Sequence, residues 1–470
     1  MNNTFHLDAE LKQIITPDQA FQYRIIPVSK SNEILKFRTD SKDLDALKNE
    51  LTIILGVEVE LIDEASENLQ SFLQINYRQK SSGQSENLNY QSDFLNVLLQ
   101  TAKDYNSSDI HLEIYENKCR VRFRLDGKLK EQFVISSQEY PQIINQIKIR
   151  AGLDISQKRL SQDGRLTVTS ENIENQFDIR VSTLPTLYGE KIVLRILKKD
   201  GGSVDLSNLG FTEKELRVYR EATKKPNGII LISGPTGSGK TTTLYGTLKE
   251  LNKPTTNILT IEDPIEYTLN GINQVQLKED IGFDFPSALR TFLRQDPDII
   301  MVGEIRDEAT ANMAIKAALT GHLVLSTIHT NSAWATISRL VDMGIPPFLI
   351  ASTLNLSMAQ RLVRLLCPSC KKEIMVKKDA FPINFKIPSD LHSYYKAVGC
   401  NDCYSTGYRG RKAIYEIIPM DTQSSKFIKE NASNIDQIDT PIRMISLKDN
   451  ALRLLRNGET SIDEIYSLLN

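Results

Sequence analysis

The feature that most constrains this chain is a glycine-rich segment set between a short apolar run and a helical stretch. The segment fits G-x-x-x-x-G-K-[ST], and the apolar run 229–232 and the helical pattern 242–251 flank it as that motif requires. Glycines let backbone N–H groups approach phosphate oxygens, and the start of the following helix attracts negative charge. The sequence therefore predicts a P-loop nucleoside triphosphatase. The expected nucleotide-binding residues are Gly234, Pro235, Thr236, Gly237, Ser238, Gly239, Lys240, Thr241 and Thr242.

Two side chains of this loop have specific expected roles. Lys240 is expected to reach the β- and γ-phosphates, and Thr241 is expected to hold Mg²⁺ through its hydroxyl. The alternative is a glycine-rich turn with a chance lysine, which the two flanking patterns disfavour. The motif alone does not say what hydrolysis drives.

Composition limits the class of protein. A chain of 470 residues suggests two to four domains, and its net charge of −2 gives no support for a nucleic-acid partner. No segment has the length and polarity of a transmembrane helix, and the first residues lack the apolar core of a secretory signal. We therefore expect a cytoplasmic protein.

Composition and pattern also divide the chain into six regions. The first is a small α/β unit, and a polar linker separates it from a second region with strand-like patterning. The predicted regions are residues 1–78 (N-terminal domain), 79–92 (linker), 93–200 (upstream domain), 201–360 (P-loop core), 361–411 (cysteine segment) and 412–470 (C-terminal helical part).

Polar residues follow each apolar run of the P-loop region. The runs 257–261, 298–302 and 322–326 alternate with helical stretches such as 307–320, which predicts a parallel sheet covered by helices. Ligands bind beyond the carboxyl ends of such strands. The site candidates are therefore Glu262, Asp263, Glu266, Gly303, Glu304, Arg306, Thr327 and His329.

Three acids and one histidine of this set are predicted to be catalytic. Glu304 is expected to coordinate Mg²⁺ through water or to orient the attacking water, the alternative being a surface acid. Glu262 and Asp263 form a second acidic pair aimed at the same crevice. His329 could hydrogen-bond the γ-phosphate or sense its loss, although a lone histidine is more often structural.

Four of the five cysteines form two C-x-x-C pairs. Cys367 and Cys370 lie before a 29-residue gap, and Cys400 and Cys403 follow it. Two thiolate pairs at this spacing suit tetrahedral Zn²⁺, with an inserted loop between the pairs. The fifth, Cys119, lies on a strand-like segment and is expected to be a buried thiol.

Several segments together resemble the secretion-type ATPases of type II secretion, type IV pilus assembly and DNA uptake. The P-loop, the aspartate box at 259–267, the Gly-Glu form of Walker B within 293–307 and the histidine box at 320–329 carry the resemblance. Upstream, the segments 107–113, 122–127, 158–165 and 178–185 match the domain that precedes the motor in that family. The resemblance implies an α/β fold. Its parts are a RecA-like P-loop motor, a preceding PAS-like α+β domain, a small N-terminal α/β domain and a zinc-binding C-terminal insertion.

The resemblance also implies a homohexameric ATPase that uses ATP, Mg²⁺ and Zn²⁺, with nucleotide between the upstream domain and the motor. A guanidinium from another domain would neutralise charge on the γ-phosphate, a role that the resemblance assigns to Arg165 and Arg180. Arg290 and Arg294, four apart on a predicted helix, could serve the same crevice. Surface salt bridges are the alternative for all four arginines.

The cysteine pairs help to distinguish fibre assembly from fibre retraction, because assembly and secretion members of the family carry them and retraction members lack them. The resemblance thus implies a motor at the inner face of the inner membrane that powers pseudopilus assembly in type II secretion. Its partners would be a membrane platform protein and the cytoplasmic domain of a docking protein. A type IV pilus assembly ATPase shares every motif, and a RecA-like nucleic-acid translocase is a more distant alternative. The N-terminal unit lacks the Arg-Leu-Gly motif of relatives that bind cyclic di-GMP, so that ligand is not predicted.

Overall fold

The structure, a computed structural model, describes residues 7–31, 34–77, 94–168, 177–197, 205–430 and 445–469. The predicted linker at 79–92 lies outside the described residues. Contacts divide the chain into two units, which are described separately. The first contains residues 1–199, 366–372 and 396–409, and the second contains residues 200–365, 373–395 and 410–470.

The N-terminal part of the first unit is a small α/β fold. Its three-stranded sheet has the order β1-β2-β3, with the first pair antiparallel and the second parallel. The helix Leu44–Leu55 stops at Gly56, whose φ of +66° suits a residue without Cβ. The elements are α1 (Ala9–Lys12), α2 (Pro17–Gln22), β1 (Ile25–Ser31), β2 (Ile34–Thr39), α3 (Leu44–Leu55), β3 (Glu58–Asp63) and α4 (Ser66–Asn76).

The upstream domain is a six-stranded antiparallel sheet that packs against two helices. The sheet order is β6-β5-β4-β9-β8-β7, and alternate residues of β5 are buried, as expected for a sheet covered on one face. The elements are α5 (Phe94–Asp104), β4 (Asp109–Ile114), β5 (Cys119–Leu125), β6 (Lys128–Ile135), α6 (Tyr140–Arg150), β7 (Gln162–Val168), β8 (Phe177–Thr186) and β9 (Gly189–Leu197). Cys119 is fully buried, as predicted.

The second unit is built on a seven-stranded sheet with the order β12-β11-β13-β14-β10-β15-β18, whose pairs from β12 to β15 are parallel. Its elements begin with α7 (Glu213–Thr223), β10 (Gly228–Ser233), α8 (Lys240–Leu251), β11 (Ile258–Glu262), β12 (Asn273–Gln276), α9 (Phe285–Phe292), β13 (Ile299–Val302), α10 (Glu308–Leu319) and β14 (Leu323–Ile328). They continue with α11 (Ala333–Asp342), α12 (Pro347–Thr353), β15 (Leu354–Leu366), β16 (Lys372–Met375), β17 (Ser393–Lys396), β18 (Tyr408–Pro419), α13 (Thr422–Glu430), α14 (Leu447–Arg456) and α15 (Ile462–Ile465).

Burial on both faces explains why the central strands of this sheet are continuous apolar runs. Every residue of β10, β13 and β14 is buried, and separate apolar clusters cover the two faces. Because these strands are parallel, the loops after β10, β11, β13 and β14 meet at one edge of the sheet. The long strand β15 continues across the predicted boundary between residues 360 and 361.

Candidate nucleotide and metal sites

The P-loop connects β10 to α8, and neighbouring backbone dictates its glycines. Gly234 has a φ of +147°, and a Cβ there would lie 2.5 Å from the carbonyl oxygen of Gln360. Gly239 is the left-handed N-cap residue of α8, with a φ of +88°. A side chain at either position would collide with its surroundings or strain the loop. The helix start thus faces an open loop of backbone N–H groups, which is suited to phosphate.

Lys240 lies at the beginning of α8 and is turned back onto the loop. Its Nζ donates to the carbonyls of Gly234, at 2.8 Å, and Pro235, at 3.3 Å. Burial lowers the pKa of Lys240, Glu304 opposes that shift, and the positive charge of Arg361 adds to it. Within the described chain, this buried ammonium group has carbonyl partners but no carboxylate at ion-pair distance. It is therefore suited to accept an anionic ligand.

Sequence reasoning missed Gln360, which fastens the loop from the adjacent strand β15. Its Nε2 donates to the carbonyl of Ser238 at 2.9 Å, and its Oε1 accepts from the hydroxyl of Thr243 at 2.9 Å. The hydroxyl of Ser238 is buried and has no hydrogen-bond partner among the described residues. An unpartnered buried donor in this loop fits a nucleotide phosphate as its partner. Thr241, the predicted Mg²⁺ residue, is exposed one position into α8.

The loops after β11, β13 and β14 bring three of the predicted catalytic residues together. Glu304 is the centre of the group. Its Oε2 accepts from Nε2 of His329 at 3.0 Å, and its Oε1 accepts from Nε of Arg306 at 2.5 Å. The same guanidinium lies 3.4 Å from Oδ2 of Asp263. Hydrogen bonding to Glu304 raises the pKa of Arg306, against the effect of burial.

Glu262 lies apart from this cluster, in a buried network of its own. Its carboxylate accepts from the hydroxyls of Tyr245 and Thr260, the latter at 2.6 Å, and from Nε2 of Gln274 at 3.1 Å. Only 3% of Glu262 is exposed. Instead of facing an open crevice as expected, Glu262 connects α8, β11 and β12. The neighbouring Asp263 is the exposed member of the acidic pair.

Arg165 and Arg180 are direct partners across β7 and β8 of the upstream domain. Arg180 in turn faces Arg195 on β9, so three arginines form a row across the sheet. Like charges directly opposite each other repel. At one end of the row, Nε of Arg195 donates to Oδ1 of Asp109 on β4 at 2.9 Å, so a carboxylate of the same domain offsets that charge. In the second unit, Arg290 lies on α9, while Arg294 lies just beyond the end of that helix and donates to the carbonyl of Arg290 at 3.0 Å.

The four cysteines of the two C-x-x-C pairs converge on one point, and their sulfur atoms all lie within 4.8 Å of one another. Three of the Sγ–Sγ distances are 3.8 Å (Cys367–Cys400 and Cys400–Cys403) and 3.9 Å (Cys370–Cys403). Four thiolates at about 2.3 Å from a tetrahedral Zn²⁺ would be separated by similar distances. The cysteines therefore fit zinc.

Backbone N–H groups point at the sulfur atoms, as a bound metal centre requires. Gly399 donates to the sulfur of Cys370 at 3.3 Å, and Gly407 donates to that of Cys403 at 3.2 Å. Burial raises the pKa of Cys400 to about 11, so a cation is needed to hold four thiolates together at neutral pH. We call residues 367–370 and 399–407 the knuckle.

The knuckle packs on the upstream domain within the first unit. The ring of Tyr404 stacks on that of Tyr105, with centroids 3.8 Å apart, and its hydroxyl donates to the carbonyl of Asp104 at 3.1 Å. Lys130 of β6 donates to the carbonyl of Tyr404. The residues between the two cysteine pairs include the two-stranded sheet of β16 and β17.

Known proteins similar to this chain are secretion and pilus ATPases. The profile of the family described as "Type II/IV secretion system protein" matches residues 84–467. The type IV pilus assembly ATPase PilB of Myxococcus xanthus is 39% identical over 98% of this chain and 87% of its own length. Type II secretion system protein E of Pseudomonas aeruginosa is 46% identical over 79% of this chain and 74% of its own length. The chain belongs to the type II/IV secretion ATPase family.

Solved structures agree on the fold of this secretion ATPase. The ATPase DotB of Legionella pneumophila has a TM-score of 0.60 at 22% identity and covers 82% of this chain and 97% of its own. The pilus retraction motor PilT with bound ADP has a TM-score of 0.52 at 25% identity and covers 79% of this chain and 95% of its own. This secretion ATPase hydrolyses ATP, as its family and its P-loop site indicate. Across its described residues, no helix has both the length and the apolar character needed to span a bilayer.

Proposed function

We propose that this ATPase powers assembly of a pilin-type fibre, as a pseudopilus in type II secretion or as a type IV pilus. The observation that carries the proposal is the convergence of Cys367, Cys370, Cys400 and Cys403 in a chain that also has a P-loop site. Fibre-assembly and secretion members of the family have four such cysteines, whereas retraction members do not. The names of the two relatives above support both forms of the proposal.

In the proposed reaction, each group acts through its charge. Lys240 leaves its carbonyl partners for the β- and γ-phosphates, and Thr241 is the residue whose hydroxyl would hold Mg²⁺. Glu304 orients the attacking water once Arg306 and His329 share their hydrogen bonds with the nucleotide. Asp263 lies next to Arg306 and assists in placing it. The four cysteines of the knuckle would hold Zn²⁺, which would have a structural role because four protein ligands leave no open position.

Two further arginines complete the proposed phosphate environment. Arg165 and Arg180 neutralise charge that builds up on the γ-phosphate during transfer. Their direct pairing across β7 and β8, which puts both on one face of the sheet, supports this role. Glu262 stabilises the loop that carries Asp263, since its own carboxylate is fully engaged.

The proposed assembly is a homohexamer on the cytoplasmic face of the inner membrane. Its partners are a membrane platform protein and, through residues 1–78, the cytoplasmic domain of a docking protein. Membrane association is peripheral and depends on these partners, and nucleic acid has no part in it. The net charge of −2 is consistent with protein partners.

One observation favours the pilus form of the proposal. The match to the Myxococcus pilus ATPase extends over 98% of the chain and so includes the N-terminal domain, whereas other matches, to pilus and to secretion ATPases alike, cover 79%. The N-terminal domain is the part expected to choose the partner. Similarity in the N-terminal domain therefore says more about which secretion or pilus system this ATPase serves than similarity in the P-loop core does.

The test replaces the chromosomal gene with one that encodes Glu304→Gln and scores two phenotypes in the native host. Loss of surface fibres with normal protein export would establish the pilus form. Loss of export with normal surface fibres would establish the secretion form. Intact fibres and intact export, at normal levels of the variant protein, would refute the proposal.

A further inference from the structure

Arg361, on β15 directly after Gln360, lies at the opening of the P-loop. Its Nη2 donates to the carbonyl of Asn331 at 2.8 Å, and its Nη1 donates to the carbonyl of Gln360 at 3.0 Å. The side chain therefore crosses from β15, past the end of β10, to the loop that follows β14. A Cβ built on Gly234, the first P-loop residue, would lie 3.2 Å from Nη1.

The guanidinium of Arg361 has no carboxylate partner at ion-pair distance within the described parts of the chain. The acid that affects it electrostatically is Glu416, whose carboxylate already accepts from the backbone N–H groups of Ala333, at 2.8 Å, and Leu447, at 3.4 Å. Burial lowers the pKa of Arg361, and Glu416 opposes this. A half-buried cation with only carbonyl partners is costly unless an anion binds beside it.

Two such cations flank the same glycine. Nζ of Lys240 donates to the carbonyl of Gly234, and Nη1 of Arg361 lies beside the α-carbon of that residue. The unpartnered hydroxyl of Ser238 lies in the same place, 2.7 Å from the Cβ that Gly234 lacks. Two cations without a carboxylate partner among the described residues and one unpartnered hydroxyl thus lie around the same residue of the loop.

The position of Arg361 indicates which phosphate it serves. Lys240 of a P-loop reaches the β- and γ-phosphates. Asn331, which Arg361 holds, lies two residues after His329, and His329 is bonded to Glu304 in the cluster that would orient water. Arg361 is therefore bonded to the loop that carries His329, which is the loop expected to face the γ-phosphate.

We propose that Arg361 binds the γ-phosphate of ATP from within the same chain, as a second cation beside Lys240. This inference rests on ATP hydrolysis at the P-loop. It adds a residue that distinguishes a nucleoside triphosphate from a diphosphate. Hydrolysis would then leave Arg361 without its anion. Because Arg361 is bonded to Asn331, loss of the γ-phosphate would change the contacts of the loop after His329.

The test measures binding of the non-hydrolysable analogue AMP-PNP and of ADP, both with Mg²⁺, to the full-length ATPase by calorimetry. Arg361→Ala should raise the Kd of AMP-PNP at least about tenfold, because a charge-assisted bond is lost, and the Kd of ADP less than about threefold. Arg361→Lys keeps the positive charge but loses the planar set of guanidinium donors, and should give an intermediate Kd for AMP-PNP.

Two further variants make the result specific. Arg361→Gln keeps a donor for Asn331 and removes the charge, so it should reproduce the loss for AMP-PNP even if Arg361→Ala does not fold. Arg364→Ala, on the same strand, removes a guanidinium 2.6 Å from Glu464 and should leave the AMP-PNP to ADP ratio unchanged. Equal losses for both nucleotides, or none, in Arg361→Gln would overturn the inference. Wild-type protein that binds neither nucleotide would instead refute the ATPase assignment.

Discussion

At the residue scale, the acid expected to orient water is held by other side chains. Both carboxylate oxygens of Glu304 accept hydrogen bonds, one from Arg306 and one from His329. Lys240 is likewise bonded to its own loop. In the proposed reaction, these bonds are exchanged for bonds to nucleotide before hydrolysis. Hydrolysis would then begin only after nucleotide has bound. Lys240 would contribute to nucleotide binding, whereas Glu304 would contribute to the hydrolysis step.

Replacing these two residues should therefore give different defects. Lys240→Ala should abolish hydrolysis and weaken ATP binding, because a positive charge at the phosphates is lost. Glu304→Gln should retain binding and lower kcat at least about a hundredfold, since an amide does not polarise water as a carboxylate does. Calorimetry and phosphate release measure the two effects. Circular dichroism should show both proteins folded, and near wild-type turnover of Glu304→Gln would disprove its role.

The arginine row supports a second prediction at this scale. Arg165→Ala and Arg180→Ala should each lower kcat by about 10³-fold, the lower end of the range known for arginines that act on a transferring phosphate. The Kd for nucleotide should change less than about threefold. Steady-state kinetics on preparations shown to be hexameric would check this. A loss of kcat below tenfold would place these residues in surface ion pairs instead.

At the element scale, the sequence predicts the central strands well because both of their faces are covered. The runs 229–232, 257–261 and 298–302 contain little besides apolar residues, and each corresponds to a strand. The strand β15 was missed because its buried residues include Asn355, Ser357 and Gln360, which bind loops through side-chain hydrogen bonds. A polar residue that is buried in order to hold a loop looks, in sequence, like a surface residue.

The strand-end acids show the same limit. The sequence identified Glu304 and Asp263, which the fold brings near each other through Arg306. It placed Glu262 in the same crevice, but successive side chains of a strand point to opposite faces. Glu262 turns toward α8, where the hydroxyl of Tyr245 binds it. No feature of the sequence distinguishes the two directions, because the choice depends on Tyr245 and Gln274 from other elements.

A buried carboxylate on β4 allows a prediction about acid stability. Burial would raise the pKa of Glu113, but bonds from Arg122, Lys191 and Arg120 outweigh it and lower the pKa to about 2. The stabilisation is therefore complete above the ordinary carboxyl pKa, and it is lost as the pH falls toward 2. Glu113→Gln should destabilise β4 by about 3 kcal/mol at pH 7.

The measurement is amide hydrogen exchange of β4 in the wild type and in Glu113→Gln. The difference in opening free energy should be full at pH 6 and should shrink below about pH 4 as the wild-type carboxylate gains a proton. Glu116→Gln, in the turn after the same strand, is the control and should behave as wild type at every pH. A difference that persists unchanged at pH 3 would contradict the assignment.

At the scale of the whole molecule, the nucleotide site and the cysteine site belong to different units of the chain. The P-loop cluster belongs entirely to the second unit, whereas all four cysteines belong to the first. The strands that lead into and out of the knuckle, β15 and most of β18, belong to the sheet of the second unit. Metal and nucleotide should therefore be separable in experiments.

Purified protein should carry about one Zn²⁺ per chain. The double variant Cys370→Ser and Cys403→Ser should release the metal and expose residues 367–403 to protease, because folding of the knuckle depends on the ion. Nucleotide binding should remain within about threefold of wild type, and fibre assembly or export in the host should fail. Elemental analysis, limited proteolysis and calorimetry test these outcomes, with Cys119→Ser as the matched control that keeps zinc. Metal-free protein purified without chelator would defeat the prediction.

The placement of the knuckle also affects how the chain is made. The strands β15 and β18 are neighbours in the sheet, yet the ribosome must synthesise residues 367–407 after β15 before β18 exists. At about 5–20 residues per second, β15 spends several seconds as an unpaired strand edge. Zinc binding would join the two ends of this insertion and so lower the entropic cost of bringing β18 to the edge of β15. Chains translated in zinc-starved cells should therefore aggregate during synthesis, before they can fold and bind nucleotide.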